Sequence, residues 1–133
     1  MQSYYYVAIV TLLSGFLCFG MGLATARAHA KTGIAAPAMT GHPYLECCVR
    51  AHANTLEWMP IFLPALWLAA VFWSPVWAAA LGAVWILARI LYFVGYVSAP
   101  KKRFAGFLIQ TLTVVTLSLG ALGRIVYLIA TGQ

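Results

Sequence analysis

The chain has 133 residues, 64% of them hydrophobic and 8% charged, with a mean hydropathy of +0.92. Soluble domains carry about 25% charged residues, so this composition belongs to one small membrane-embedded unit and excludes an ordinary water-soluble fold. Eight Lys and Arg stand against two acids, Glu46 and Glu57, so the formal charge of +6 reflects a scarcity of acids. Basic clusters are few, which argues against a nucleic-acid partner and for anionic lipid, an anionic ligand, or both.

A hydrocarbon core of about 30 Å needs about 20 residues of apolar helix. The first such run, from about Tyr5 to Thr25, contains no charge. It is long enough to span, and the preceding "MQSYYY" lacks the basic stretch of a cleavable signal peptide. "KTGIAAPAMTGHP" (Lys31 to Pro43) is rich in Gly and Pro and reads as a loop, with His29 and His42 as solvated loop residues. The second apolar run goes from about Leu56 to Trp73, and its helix is expected to start earlier, through Glu46 to Thr55. "WSPVW" around Pro75 reads as a tight hairpin, followed by a third span from about Val76 to Val97. The basic loop "SAPKKR" leads to a fourth span from about Phe104 to Ala130.

The runs are too long for barrel strands and do not alternate. The expected architecture is therefore an all-α membrane protein, a single domain over residues 1–133 built as a four-transmembrane-helix bundle. Loops one and three hold Arg27, Lys31, Arg50, Lys101, Lys102 and Arg103, whereas the short second loop and both termini hold no cation. The excess of positive charge on cytoplasmic loops then places loops one and three in the cytoplasm and both termini on the opposite side. Tyr4, Tyr5, Tyr6, Trp73 and Trp77 suit an interfacial aromatic belt.

Cys18, Cys47 and Cys48 form no disulfide framework, since the last two are adjacent and poorly placed to pair. They read as packing residues rather than nucleophiles, because no Cys–His pair with an orienting group is visible. His29, His42 and His52 are too scattered for a metal site.

The polar residues inside the spans are not scattered. Arg50, Asn54 and Glu57 stand at i, i+4 and i+7 and share one face of the second helix, while His52 points toward a neighbouring helix or subunit. Arg89, Tyr92 and Tyr96 share one face of the third. Arg89 lies well inside its apolar run, where an arginine costs roughly 2.5 kcal/mol or more and marks a functional position by default. Two complementary stripes near one membrane face would match a ligand with two carboxylates and one ammonium, arginine forks taking the carboxylates and Glu57 the ammonium. The competing structural reading pairs Arg50 with Glu57 or Glu46 inside the second helix and lets Asn54 and the tyrosines bond between helices. Arg50, Arg89 and Arg103 face essentially one intramembrane acid, which favours an anionic ligand. Lys101 and Lys102 read mainly as a topology signal in contact with lipid. Arg103, at the start of the fourth helix, is kept as a catalytic candidate.

Through "RAHANTLEWMPIFLPALWLAAVF", "ARILYFVGY" and "KKRFAGF…LGALG", led in by "AAPAMTGHPYLECCVRA", the sequence resembles the membrane-associated proteins in eicosanoid and glutathione metabolism, of the microsomal glutathione transferase and leukotriene C4 synthase type. The resemblance covers about residues 26 to 123. It implies a homotrimer with glutathione, a co-substrate, bound between protomers near the cytoplasmic face, and no metal. It further implies glutathione contacts from Arg50, Asn54, Glu57, Arg89, Tyr92 and Tyr96, and an Arg103 that activates the thiol. His52 stands where relatives often carry glutamine, and Trp58 where several carry a hydroxylated aromatic. A further cation contact falls on Arg27 or Lys31. The implied chemistry is thiolate attack on a lipophilic electrophile, or reduction of a lipid hydroperoxide. The apolar substrate would lie in a groove near Trp58 and the Leu and Phe of helices one and four. Two alternatives remain from the residues alone: a non-catalytic lipid- and glutathione-binding protein of the same fold, and a small four-helix exporter. The exporter is disfavoured because such proteins depend on an acid in the first span.

Overall fold

The computed structural model describes residues 3–133, and among them every regular element is helical. α1 runs Tyr4–Thr32, α2 Pro43–Phe72, α3 Pro75–Ser98 and α4 Phe104–Thr131, with a single 3-10 turn, Pro100–Arg103, before α4. Local chemistry sets these ends. Gly33, at φ 72°, closes α1 by donating its N–H to the His29 carbonyl at 3.1 Å; only glycine adopts this left-handed cap without strain. α2 and α3 both open with proline at the first helical position, where its missing N–H costs nothing. The His42 ring accepts the Tyr44 N–H at 3.1 Å, and the Ser74 hydroxyl accepts that of Trp77 at 3.4 Å.

All four helices are long and apolar enough to cross a membrane. α1 and α2, at 29 and 30 residues, reach about 44 Å at 1.5 Å per residue, beyond the ~30 Å hydrocarbon core. That surplus corrects the expected first loop. Arg27 and Lys31 lie on α1, and α2 begins at Pro43, so the connection is only residues 33–42. His29 is likewise helical, and its Nδ1 donates to the Ile34 carbonyl at 2.8 Å. His42 is exposed as expected but acts as the α2 cap. α2 continues through Pro60 and Pro64, as membrane helices tolerate when neighbours re-satisfy the freed carbonyls.

The helices run up and down, with α3 packed against all three others and α2 against α1 and α4. The buried set is rich in alanine: Ala28, Ala51, Ala65, Ala69, Ala70, Ala78, Ala79, Ala88 and Ala121. Lipid tails are as apolar as leucine, so association between membrane helices rests on close packing of small residues rather than on expulsion of water. At the centre, Phe62 of α2 stacks on Trp85 of α3 with ring centroids 3.9 Å apart. The Trp85 indole donates to Oε1 of the fully buried Gln110 on α4 at 3.1 Å. Most of the large leucines and isoleucines of α1 and α4 face outward, toward lipid, whereas Leu117 is buried in the core and Leu17 packs against it.

Candidate functional site

Four chain segments meet at one end of the bundle: the last turns of α1, the first turns of α2, the last turns of α3, and the 3-10 turn entering α4. Two glycines bring them together. A Cβ on Gly106 would collide with the backbone of Tyr92 and Ala88, and one on Gly95 with the Lys102 carbonyl. α4 and the 3-10 turn therefore lie backbone-to-backbone against α3, and the cations of "PKKR" are held over the α3 tyrosines.

Between these elements opens a cavity of about 600 Å³ lined by Arg50, Asn54, Tyr92, Tyr96, Pro100, Lys101, Arg103, Phe104 and Phe107. One wall is cationic and one aromatic. The Arg103 guanidinium lies over the Tyr96 ring at 4.8 Å, and Tyr96 meets Tyr92 edge-on at 5.6 Å. Tyr92 in turn packs on Phe107 at 6.3 Å, and Phe107 on Trp58 at 6.1 Å. An aromatic path thus leads from the cations toward the apolar interior.

The α2 stripe forms a connected network. Arg50 donates to both Glu57 oxygens, at 2.9 and 3.4 Å, and Asn54 Nδ2 donates to Glu57 Oε2 at 3.5 Å. Arg50–Glu57 is the one ion pair among the described residues. Both partners are 55% exposed by side chain, so solvent screening leaves this pair a weak stabiliser of the helix. With Glu57 engaged, the cavity still presents Lys101 and Arg103 without a carboxylate, beside the two phenols and the Asn54 amide. Such a set is chemically complementary to an elongated anion, and Arg103 is the cation best placed to face negative charge in the cavity.

Among the expected site residues, Arg50, Asn54, Tyr92, Tyr96 and Arg103 line the cavity, and Glu57 joins it through Arg50 and Asn54. Arg89 does not reach the lining. It is fully buried beneath Asn54, with its guanidinium over the Tyr92 ring at 4.1 Å. His52 points away to α1, 3.5 Å from where a Cβ on Gly22 would stand. Trp58 is half-buried and touches the cavity only through Phe107. Arg27 and Lys31 are exposed on α1 outside the lining, Lys31 over the Tyr44 ring at 4.8 Å.

Lys101 lines the cavity as well, a position that its reading as a topology signal overlooked. Phe107, four residues after Arg103, shares its helical face, so i, i+4 spacing was the available signal. Cys47 is half-buried and Cys48 buried. Among the described residues no group of three or more His, Cys, Asp or Glu side chains is placed to hold a metal ion.

The sequence is similar over most of its length to known membrane proteins. It is 43% identical over 120 residues to an uncharacterized protein of Synechocystis sp., covering 90% of this chain and 88% of that one. It is 41% identical over 119 residues to microsomal glutathione S-transferase 2 of Homo sapiens, covering 88% and 80%. It is 36% identical over 99 residues to leukotriene C4 synthase of Bos taurus, covering 74% and 66%. The model of the MAPEG family matches residues 7–123, a segment that contains α2 and α3 whole, most of α1 and α4, and every residue lining the cavity. The chain is thus an integral, multi-pass, all-α membrane protein and belongs to the MAPEG family.

Proposed function

We propose that the protein is a membrane glutathione transferase that binds glutathione in the cavity between α2, α3 and α4. The observation that carries this reading is Arg103, held by Tyr96 beside a cavity that is cationic on one side and aromatic on the other. Glutathione carries two carboxylates and one ammonium, and Arg50, Lys101, Asn54 and the Glu57 carboxylate offer complementary groups. Tyr92 and Tyr96 orient the peptide. The similarity to microsomal glutathione S-transferase 2 supports the same substrate here.

The chemistry follows from the charge distribution. A free thiol has a pKa of about 8.5, and the thiolate is the nucleophile. A guanidinium beside the sulfur, in a partly water-excluded site, favours the thiolate by about 1.4 kcal/mol per unit of pKa lowering. The thiolate attacks an electrophilic carbon of a lipophile that reaches Phe104, Phe107 and Trp58 from the bilayer, and the leaving group departs. The same thiolate reduces a lipid hydroperoxide, a second glutathione completing the disulfide; this second reaction shares the site and needs no further residue.

The active assembly is a homotrimer, with loops one and three in the cytoplasm. Arg27, Lys31 and His52 lie near the cavity's end of the bundle but outside its lining, where they are available to the cavity of a neighbouring copy. The decisive variant is Arg103→Ala. Conjugation of glutathione to 1-chloro-2,4-dinitrobenzene is expected to fall by about 10² to 10³ in kcat, while equilibrium binding of labelled glutathione persists. Full activity removes Arg103 from the mechanism. Absence of glutathione binding by the unmodified protein at millimolar concentration favours a non-catalytic lipid-binding role instead.

A further inference from the structure

Arg89 is fully buried in the bundle, and neither acid of the chain pairs with it. Its Nε donates to Thr55 Oγ1 at 3.2 Å, and its Nη2 donates both to Thr55 Oγ1 and to Asn54 Oδ1, the latter at 3.1 Å. Thr55 donates its own hydroxyl hydrogen to the Ala51 carbonyl at 3.0 Å, so its lone pairs are turned to the guanidinium. Nη1 has no hydrogen-bond partner. Burying a cation this way is costly, and Arg89 acts on the cavity only through its neighbours: Thr55 behind the lining, and Asn54 and Tyr92 within it.

The consequence lies in the carboxamide of Asn54. An amide side chain has a donor end and an acceptor end, and its neighbours decide which faces where. Arginine only donates, so the Asn54 atom toward Arg89 must be the oxygen. Ionised Glu57 only accepts, so the atom toward Glu57 must be the nitrogen, as found at 3.5 Å. Two neighbours of opposite character fix the same orientation, and the second hydrogen on Nδ2 is left for the cavity that Asn54 lines.

We infer that Arg89 is a positioning residue that locks the Asn54 amide with its N–H face toward the cavity. The Asn54 wall therefore reads a hydrogen-bond acceptor, a carboxylate or carbonyl oxygen, and rejects an ammonium or amide N–H there. The inference rests on the glutathione reading above and names which kind of ligand group meets Asn54. It also explains why a buried arginine serves: with a side chain able both to donate and to accept at this position, only the longer Glu57 contact, at 3.5 Å, would hold the amide's orientation.

Three variants and steady-state kinetics in glutathione test this. Arg89→Gln, which donates and accepts, is expected to raise KM for glutathione about tenfold and leave kcat at saturating glutathione within about twofold. Arg89→Lys, a donor only, is expected to restore most of the lost affinity. Asn54→Asp keeps an acceptor for Arg89 but offers the cavity no donor, and is expected to weaken glutathione binding at least tenfold in a protein that still folds. The assignment is overturned if Gln and Lys at position 89 behave alike, if kcat falls instead of KM rising, or if Asn54→Asp binds glutathione as the parent does. Labelled glutathione binding to the unmodified protein separates the two levels. No binding there sinks the glutathione reading itself, whereas normal binding with an indifferent Asn54→Asp sinks only the role given to Arg89. If Arg89→Gln does not fold, Asn54→Asp still decides the matter.

Discussion

At the scale of single residues, the mid-membrane hydrogen bond between Trp85 and Gln110 is the clearest source of a stability prediction. Gln110 is fully buried; its Oε1 accepts from the indole, and its Nε2 donates to Thr111 at 2.8 Å. Trp85→Phe removes the donor and leaves a buried amide oxygen unsatisfied, at about 1–3 kcal/mol. It also trims the ring stacked on Phe62. The expected outcome is a lower melting temperature of the detergent-solubilised protein with KM for glutathione unchanged, since neither residue touches the cavity. The α2 stripe was legible from spacing alone, because i, i+4 and i+7 fix a direction around a helix, and Arg50, Asn54 and Glu57 do share a network. Depth was not legible. Periodicity put Arg89 on the tyrosine face but not beneath Asn54, because burial is set by how closely the neighbouring helix approaches. Thr55, the main acceptor for Arg89, gives no sequence signal apart from the need of a buried arginine for oxygen partners.

At the scale of helices, the site depends on the α3–α4 crossing. Its nearest approach is at Gly106, where any side chain would meet α3 backbone that has no freedom to yield. Gly106→Ala is expected to cost about 1–3 kcal/mol through overpacking and to raise KM for glutathione as well, because the displaced helix carries Arg103 and Phe107. Gly123→Ala is the control: no atom stands within 4 Å of its Cβ position, so stability should stay within about 0.5 kcal/mol of the parent. Thermal unfolding and glutathione kinetics on the pair separate the effect of the crossing from that of losing a glycine. Four helices and their order could be read from apolar run length, and the ends of α3 and α4 with them. The C-terminal end of α1 and the start of α2 could not, because polar residues continue both helices past the apolar segment. The reach of α1 to Thr32 moves Arg27 and Lys31 from a loop onto a helix, where their directions are fixed rather than free.

At the scale of the whole molecule, the charges divide unequally between the two ends. Both acids and seven of the eight cations lie on the half of the bundle that holds the cavity, counting Arg89 beneath it; Arg124, late in α4 and over the Tyr127 ring at 5.1 Å, is the exception. A tally restricted to loops missed it, because Arg124 lies inside a helix. One arginine at the far end does not offset Lys101, Lys102 and Arg103 in the third connection, and the orientation rule weighs cations close to the span ends. The cavity is therefore expected on the cytoplasmic side and Gln133 on the other. In a bacterial inner membrane, alkaline phosphatase fused after Gln133 should be active and a green fluorescent protein fused there dark. Arg124→Gln should leave both results unchanged, because it only deepens the existing asymmetry. Lys101→Gln with Lys102→Gln should weaken the bias and yield a mixed population. A bright fluorescent fusion on the unmodified chain would reverse the assignment, and the cavity would then open away from the cytoplasm.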